Sequence, residues 1–135
     1  DLGCNFVRLA HYPHNEDMVR LADQMGIMVW SEIPVYWTID WENQSVFDNA
    51  QNQLREMITR DKNRAAVIMW SVANETPISD PRTDFLKRLV VSARDYDNTR
   101  LLTGALEPHS EDGYRVIDDA LGESLDVIGI NNYCG

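Results

Sequence analysis

Short apolar runs alternate along this chain with amphipathic stretches of helical period, and few folds accept that order. The clearest run, Ala65-Ala66-Val67-Ile68-Met69-Trp70-Ser71-Val72, is apolar almost throughout. A strand of that kind wants cover on both faces, as in a sheet clothed by helices. Residues 5–10, 27–31, 100–106 and 126–130 read as four further strands. Between the first two, Met18, Leu21, Ala22 and Met25 recur at i, i+3, i+4 and i+7, the stripe of a helix over 15–25. Asn15 is its expected N-cap, Glu16 and Asp17 suit its first turn, and Gly26 suits its C-terminal stop.

A second helix is expected from about Ser45, with Phe47, Ala50, Leu54, Met57 and Ile58 on one face and capping-box spacing from Ser45 to Asp48. A third follows Asp80-Pro81, read as N-cap and first helical residue, with Phe85, Leu86, Leu89, Val90 and Ala93 as its stripe. A shorter helix is expected over 114–121, stopped by Gly122. Helical crossovers between strands imply a parallel sheet. No linker, low-complexity segment or repeat beyond this alternation is present.

Two α/β architectures fit, an open doubly wound sheet and part of a (β/α)8 barrel. No glycine-rich phosphate loop follows the first strand, which disfavours a dinucleotide site. His11, Glu32, Asn74, Glu75, Glu107 and Asn131 all fall at the C-terminal ends of strands, where barrel enzymes carry their chemistry. The barrel is therefore the expected fold. Five βα units do not close it, so residues 1–135 are expected to be a partial catalytic barrel within a larger multidomain protein.

Charge narrows the partners. With 22 Asp and Glu against 12 Lys and Arg, the formal net charge is -10, which repels nucleic acid and anionic membranes. No apolar run is long enough to span a bilayer. No secretory leader is visible, but a chain expected to begin inside a domain leaves localisation open. Cys4 and Cys134 would lie near opposite ends of the sheet, so no disulfide is expected between them.

Four segments carry a more specific signal: Asn5-Phe6-Val7-Arg8-Leu9-Ala10-His11-Tyr12-Pro13, Leu21-Ala22-Asp23-Gln24-Met25-Gly26-Ile27, Arg60-Asp61-Lys62-Asn63 and Met69-Trp70-Ser71-Val72-Ala73-Asn74-Glu75. In order and spacing they resemble the catalytic TIM barrel of glycoside hydrolase family 2. His11-Tyr12-Pro13 and Asn131-Asn132-Tyr133 are most similar to β-glucuronidases, while β-galactosidases share much of the pattern. The resemblance implies retaining hydrolysis of a terminal β-linked sugar, with a carbohydrate substrate and no cofactor. It makes Glu75 the general acid/base and Asn74 the group that binds the 2-hydroxyl. His11 becomes a residue on the glycone side, Arg8 a support for the nucleophile, and Tyr133 a tyrosine near that nucleophile. The nucleophilic glutamate of the family would lie beyond Gly135.

The chemistry is consistent with these roles. A retaining glycosidase sets two carboxyl groups about 5 Å apart, one as acid and one as nucleophile. An amide beside the acid can hold the 2-hydroxyl through bonds that tighten in the transition state.

Simpler readings stand beside each residue. Glu75 could face water at the rim. Glu32 is either the second carboxylate or a pocket group, and Arg8 could serve as its ion-pair partner. Trp37, with Tyr36 and Trp41, could stack on a sugar or pack against neighbouring loops. Asn131 is a further pocket candidate, and Trp30 and Trp70 are read as barrel packing. His11 and His14 lack the spacing and companions of a metal pair, so no metal is expected. The readings outside the β-glucuronidase type are a β-galactosidase and a noncatalytic carbohydrate-binding barrel. The chain alone is expected to be inactive, with open sheet edges that favour self-association, including a homo-oligomer.

Overall fold

The computed structural model describes residues 3–132. Five parallel strands form one sheet in the order β1 (Phe6–Leu9), β2 (Met28–Glu32), β3 (Val67–Asn74), β4 (Leu101–Leu106) and β7 (Val127–Ile130). The helices α1 (Glu16–Met25), α2 (Gln44–Asp61) and α3 (Asp80–Tyr96) make the first three crossovers. The fourth holds an antiparallel hairpin, β5 (His109–Glu111) with β6 (Tyr114–Val116), and a single 3-10 turn at Gly122–Ser124.

The sheet is strongly curled. β2 and β7 are three strands apart, about 14 Å in a flat sheet, yet a Cβ added to Gly129 would run into the Trp30 ring. Arg8 on β1 hydrogen-bonds Asn131, just past β7, across an even wider flat separation. Only an arc brings those strand ends together, and the result is part of a (β/α) barrel. Glycine at 129 leaves the room that the indole needs.

The two faces of the arc differ. Trp70, Val72, Leu54, Ile58, Phe85, Leu86, Leu89 and Leu102 belong to one fully buried apolar layer between sheet and helices. Trp30, Met69 and Ala105 form a smaller separate cluster. The crossover helices give the outer layer its regularity, as their stripes require. The α1 stripe is different: Ala22 is buried, while Met18, Leu21 and Met25 are exposed along an apolar groove with Val7 and Leu9.

Local chemistry shifts some expected boundaries. Asn15 and Gly26 cap α1 as expected. At α2 the cap is Asn43, whose side chain accepts from the Ser45 N–H, and Asp48 accepts from Gln44 instead of closing a capping box. At α3 the cap is Ser79, whose Oγ accepts from the Arg82 N–H, so Asp80 lies inside the helix. The expected helix over 114–121 is not formed. Tyr114, Ile117 and Leu121 mimic helical spacing, but Asp112 (φ 47°) and Gly113 (φ 83°) both take the left-handed conformation of a tight hairpin turn. Cys4 is a free, exposed thiol, and Cys134 lies outside the described residues.

At the N-terminal end of β4 a second anchor joins strands to helix. Asp97, directly after α3, accepts from the Trp70 indole (3.1 Å), the Thr99 N–H and hydroxyl, and Arg100 (2.9 Å). Burial pushes the Asp97 carboxyl up, but the bonds from Thr99, Trp70 and Arg100 outweigh it and bring it down to about 2. A carboxylate depressed below its unfolded value near 4 stabilises the fold fully above that pH and loses this contribution as pH falls toward 2. Replacing Asp97 with Asn should therefore cost roughly 2 kcal/mol at neutral pH and flatten the loss of stability between about pH 4 and 2. Denaturant unfolding across that window reads the effect, and parallel pH curves for both proteins would refute it.

Candidate active site

The expected pocket residues meet where the C-terminal ends of the strands converge, and Glu32 is their hub. Its side chain is completely buried. Arg8 approaches it with Nε and Nη2 at 3.0 Å each, a two-pronged ion pair. The Trp30 indole N–H donates at 3.0 Å and the Ser71 hydroxyl at 2.9 Å. His11 completes the shell through Nδ1 at 2.8 Å from Glu32 Oε1. Facing a carboxylate, that nitrogen carries the proton. A buried charge needs this much compensation to be tolerated.

Arg8 extends the network to two amides that the arc brings together, Asn74 at the end of β3 and Asn131 after β7. Its Nη2 donates to Asn74 Oδ1 at 2.6 Å and its Nη1 to Asn131 Oδ1 at 2.5 Å. Asn131 Nδ2 donates back to Asn74 Oδ1 at 2.9 Å. Both acceptor positions of Asn74 Oδ1 are thereby used, which fixes its amide orientation and leaves Nδ2–H as the half that can hold a sugar oxygen. The Arg8 guanidinium also lies 4.7 Å from the centroid of the Trp30 ring.

β3 needs an irregularity to make this possible. Ser71 and Asn74 are an odd number of residues apart and would point to opposite faces of a regular strand. The pairing of β3 with β4 shifts register between them, so both reach the Arg8–Glu32 network. The loop after β2 covers the same strand end: Asn74 N–H donates to the Val35 carbonyl, and Trp37 N–H to the Asn74 carbonyl.

Glu75 follows directly, half-buried, with φ 46°. Its N–H donates to the Ala105 carbonyl on β4 at 2.8 Å. A glutamate in the left-handed region carries a strain of roughly 1–2 kcal/mol. Thus the carboxyl-bearing residue sits at a sharp, held corner rather than on a loose loop.

The aromatic candidates separate. Trp37 is exposed and meets Tyr36 edge-on, and Tyr36 lies 5.8 Å from the His11 ring. Trp41 instead packs edge-on against Phe85 in the outer layer. Trp30, read as packing, both packs and binds Glu32, a double role visible only once Glu32 is seen beneath it. Ser71 had no signal in an apolar run. Glu107 and His109 are exposed, the latter in the hairpin. Tyr133 lies outside the described residues.

Comparison with known proteins gives a consistent picture. The model of "Glycosyl hydrolases family 2, TIM barrel domain" matches residues 1–133. A β-glucuronidase from Paenibacillus borealis is 31% identical over 144 residues, covering 98% of this chain and 23% of its own length. The β-glucuronidase of Mus musculus is 35% identical over 137 residues, covering 98% of this chain and 20% of its own. Among solved structures, an FMN-binding β-glucuronidase from Facaelibacterium prausnitzii L2-6 superposes with a TM-score of 0.86 at 28% identity, over 98% of this chain and 20% of that one. A β-glucuronidase from Ruminococcus gnavus in complex with D-glucaro 1,5-lactone superposes with a TM-score of 0.79 at 30% identity, over 95% of this chain and 22% of that one. The chain thus spans about a fifth to a quarter of the length of these relatives. With the family model matched over nearly its whole length and the curled parallel sheet to go with it, the chain belongs to glycoside hydrolase family 2, within the TIM-barrel domain.

Proposed function

We propose that residues 1–135 are part of the catalytic barrel of a larger, retaining β-glucuronidase-type glycoside hydrolase, with Glu75 as its general acid/base. The observation that carries this reading is the held corner Asn74-Glu75, where an oriented amide donor precedes a carboxyl group at the end of a barrel strand. Such a pair can protonate a glycosidic oxygen and hold the neighbouring hydroxyl. The sugar class is supported by the relatives' names, and by the D-glucaro 1,5-lactone bound to the Ruminococcus gnavus enzyme.

In this reading Glu32 is not the nucleophile. Its carboxylate already accepts from Arg8, His11, Trp30 and Ser71, and attack on a sugar carbon would require giving up several of those bonds. It acts by fixing Arg8 and His11. The nucleophile comes from the rest of the protein, opposite Glu75. His11, Tyr36 and Trp37 then form one wall of the glycone pocket, and Asn131 keeps Asn74 in place.

Three outcomes test this. In the intact enzyme, Glu75→Gln should cut turnover of alkyl glucuronides by about 100-fold or more and that of activated aryl glucuronides far less, since a good leaving group needs little protonation. Equal losses on both would sink the assignment.

Asn74→Ala should lower kcat by about 100-fold with little change in KM, because its bond is strongest in the transition state. A shift in KM alone would leave only uniform binding.

The 135-residue chain expressed alone should not hydrolyse aryl β-glucuronide or aryl β-galactoside, because Glu32, committed to Arg8, His11, Trp30 and Ser71, does not supply the nucleophile that must face Glu75. Turnover that vanishes on Glu75→Gln would return Glu32 to the role of nucleophile.

A further inference from the structure

A second polar cluster lies on the other side of Glu75, and none of its members belongs to the Arg8–Glu32 network. Its centre is Arg82 in the first turn of α3, with a side chain that is completely buried. Arg82 Nε donates to Thr76 Oγ1 at 2.8 Å, and Nη1 donates to Asp119 Oδ1 at 2.8 Å. Thr76 and the side chain of Asp119 are themselves almost fully buried. Arg82 Nη2, also buried, has no acceptor among the described residues. A guanidinium that is buried and incompletely paired contributes less to stability than an apolar side chain of the same size would. Its presence asks for a role that an apolar residue could not fill.

Thr76 supplies that role through its position. It is the residue immediately after Glu75, whose left-handed backbone is not one that glutamate adopts unaided. The Glu75 N–H is tied to the Ala105 carbonyl on β4, which secures the entry to the corner. The exit is secured by the Thr76 hydroxyl on Arg82. Arg82 is fixed in turn by its helix, whose N-cap Ser79 receives its backbone N–H. Asp119 is fixed independently, because the same Oδ1 also receives the Leu121 N–H at 2.9 Å. The bridge therefore joins the segment after β3, the start of α3 and the segment before β7 at one point.

We propose that Arg82, spanning Thr76 and Asp119, is a positioning residue that sets the direction of the Glu75 carboxyl group for proton transfer to the leaving oxygen. The proposal rests on the reading of Glu75 as the acid/base and specifies what holds it. Arg82 touches no substrate in this account. Its effect reaches the reaction only through residue 76, and so it falls on proton donation rather than on sugar binding.

The test is made in the intact enzyme, with Thr76→Val as the main variant because it nearly keeps the side-chain shape and removes the hydroxyl that accepts from Arg82. Turnover of methyl β-glucuronide, a poor leaving group, should fall by about tenfold, as expected for a misdirected catalytic group, with KM unchanged. Turnover of 4-nitrophenyl β-glucuronide should stay within about twofold of the parent. Thr76→Ser, which restores the hydroxyl, should recover the methyl glucuronide rate. Arg82→Lys keeps a charge for Asp119 but cannot serve both partners in the same planar geometry, so it should reproduce the split. If that variant does not fold, Thr76→Val alone decides. Equal losses on the two substrates, a change confined to KM, an unchanged methyl glucuronide rate, or failure of Thr76→Ser to restore it would overturn the positioning role. Glu75→Gln assayed alongside separates the two claims. A leaving-group split there without one in Thr76→Val removes the Arg82 proposal alone, whereas no split in Glu75→Gln removes the acid/base reading and the positioning role with it.

Discussion

One guanidinium holds the concave side of this arc together. Arg8 reaches from β1 to Glu32 on β2, Asn74 at the end of β3 and Asn131 beyond β7. In a flat sheet those partners would be spread over four strand spacings, roughly 19 Å. Curvature is thus written into a single side chain's hydrogen bonds. The converse also holds: without Arg8, the fully buried Glu32 carboxylate would lose its two-pronged guanidinium partner and be left as a poorly compensated buried charge, so the two must be kept together.

The outer face works on a different principle. There the strands meet helices through Trp70, Val72, Leu54, Phe85 and Leu89, which are apolar and close-packed. That layer sets where each strand lies but says nothing about what its end presents. The division explains how the same strand, β3, can be almost wholly apolar and still end in Asn74-Glu75. Up to Trp70 its side chains serve packing, and the register shift between Ser71 and Asn74 then brings Asn74 to the same inner face as Ser71.

Much of this was legible in the sequence, and the parts that were not share a cause. The strand and helix order could be read because apolar periodicity is a local signal. The rim residues His11, Glu32, Asn74 and Asn131 could be picked out because strand ends locate them, whereas Arg8, inside β1, was singled out by the family resemblance. Cap positions were off by a residue or two where two candidates stood side by side, Asn43 with Ser45 and Ser79 with Asp80. The stretch 114–121 failed because three apolar residues imitated a helix while Asp112-Gly113 dictated a turn. Met18, Leu21 and Met25 show the limit from the other side: the stripe marks a face that wants cover, but not what covers it. Thr76, Arg82 and Asp119 carried no signal at all, since a buried arginine looks like any other until its partners 6 and 37 residues away are brought beside it.

Glu75 stands between two clusters that have no residue in common. On one side Asn74 is held by Arg8 and Asn131, and on the other Thr76 is held by Arg82. The strained backbone at Glu75 persists because both neighbours are fixed, as strained positions require. Each cluster also protects a different function of the corner. In the proposed reading the Arg8 network orients the Asn74 amide for the sugar, so damage to it would disturb recognition and the acid together. The Arg82 bridge bears on the corner's exit alone. A carboxyl group aimed by two independent supports can therefore lose its direction without the pocket losing its shape, and this separates what the site binds from how fast it can act.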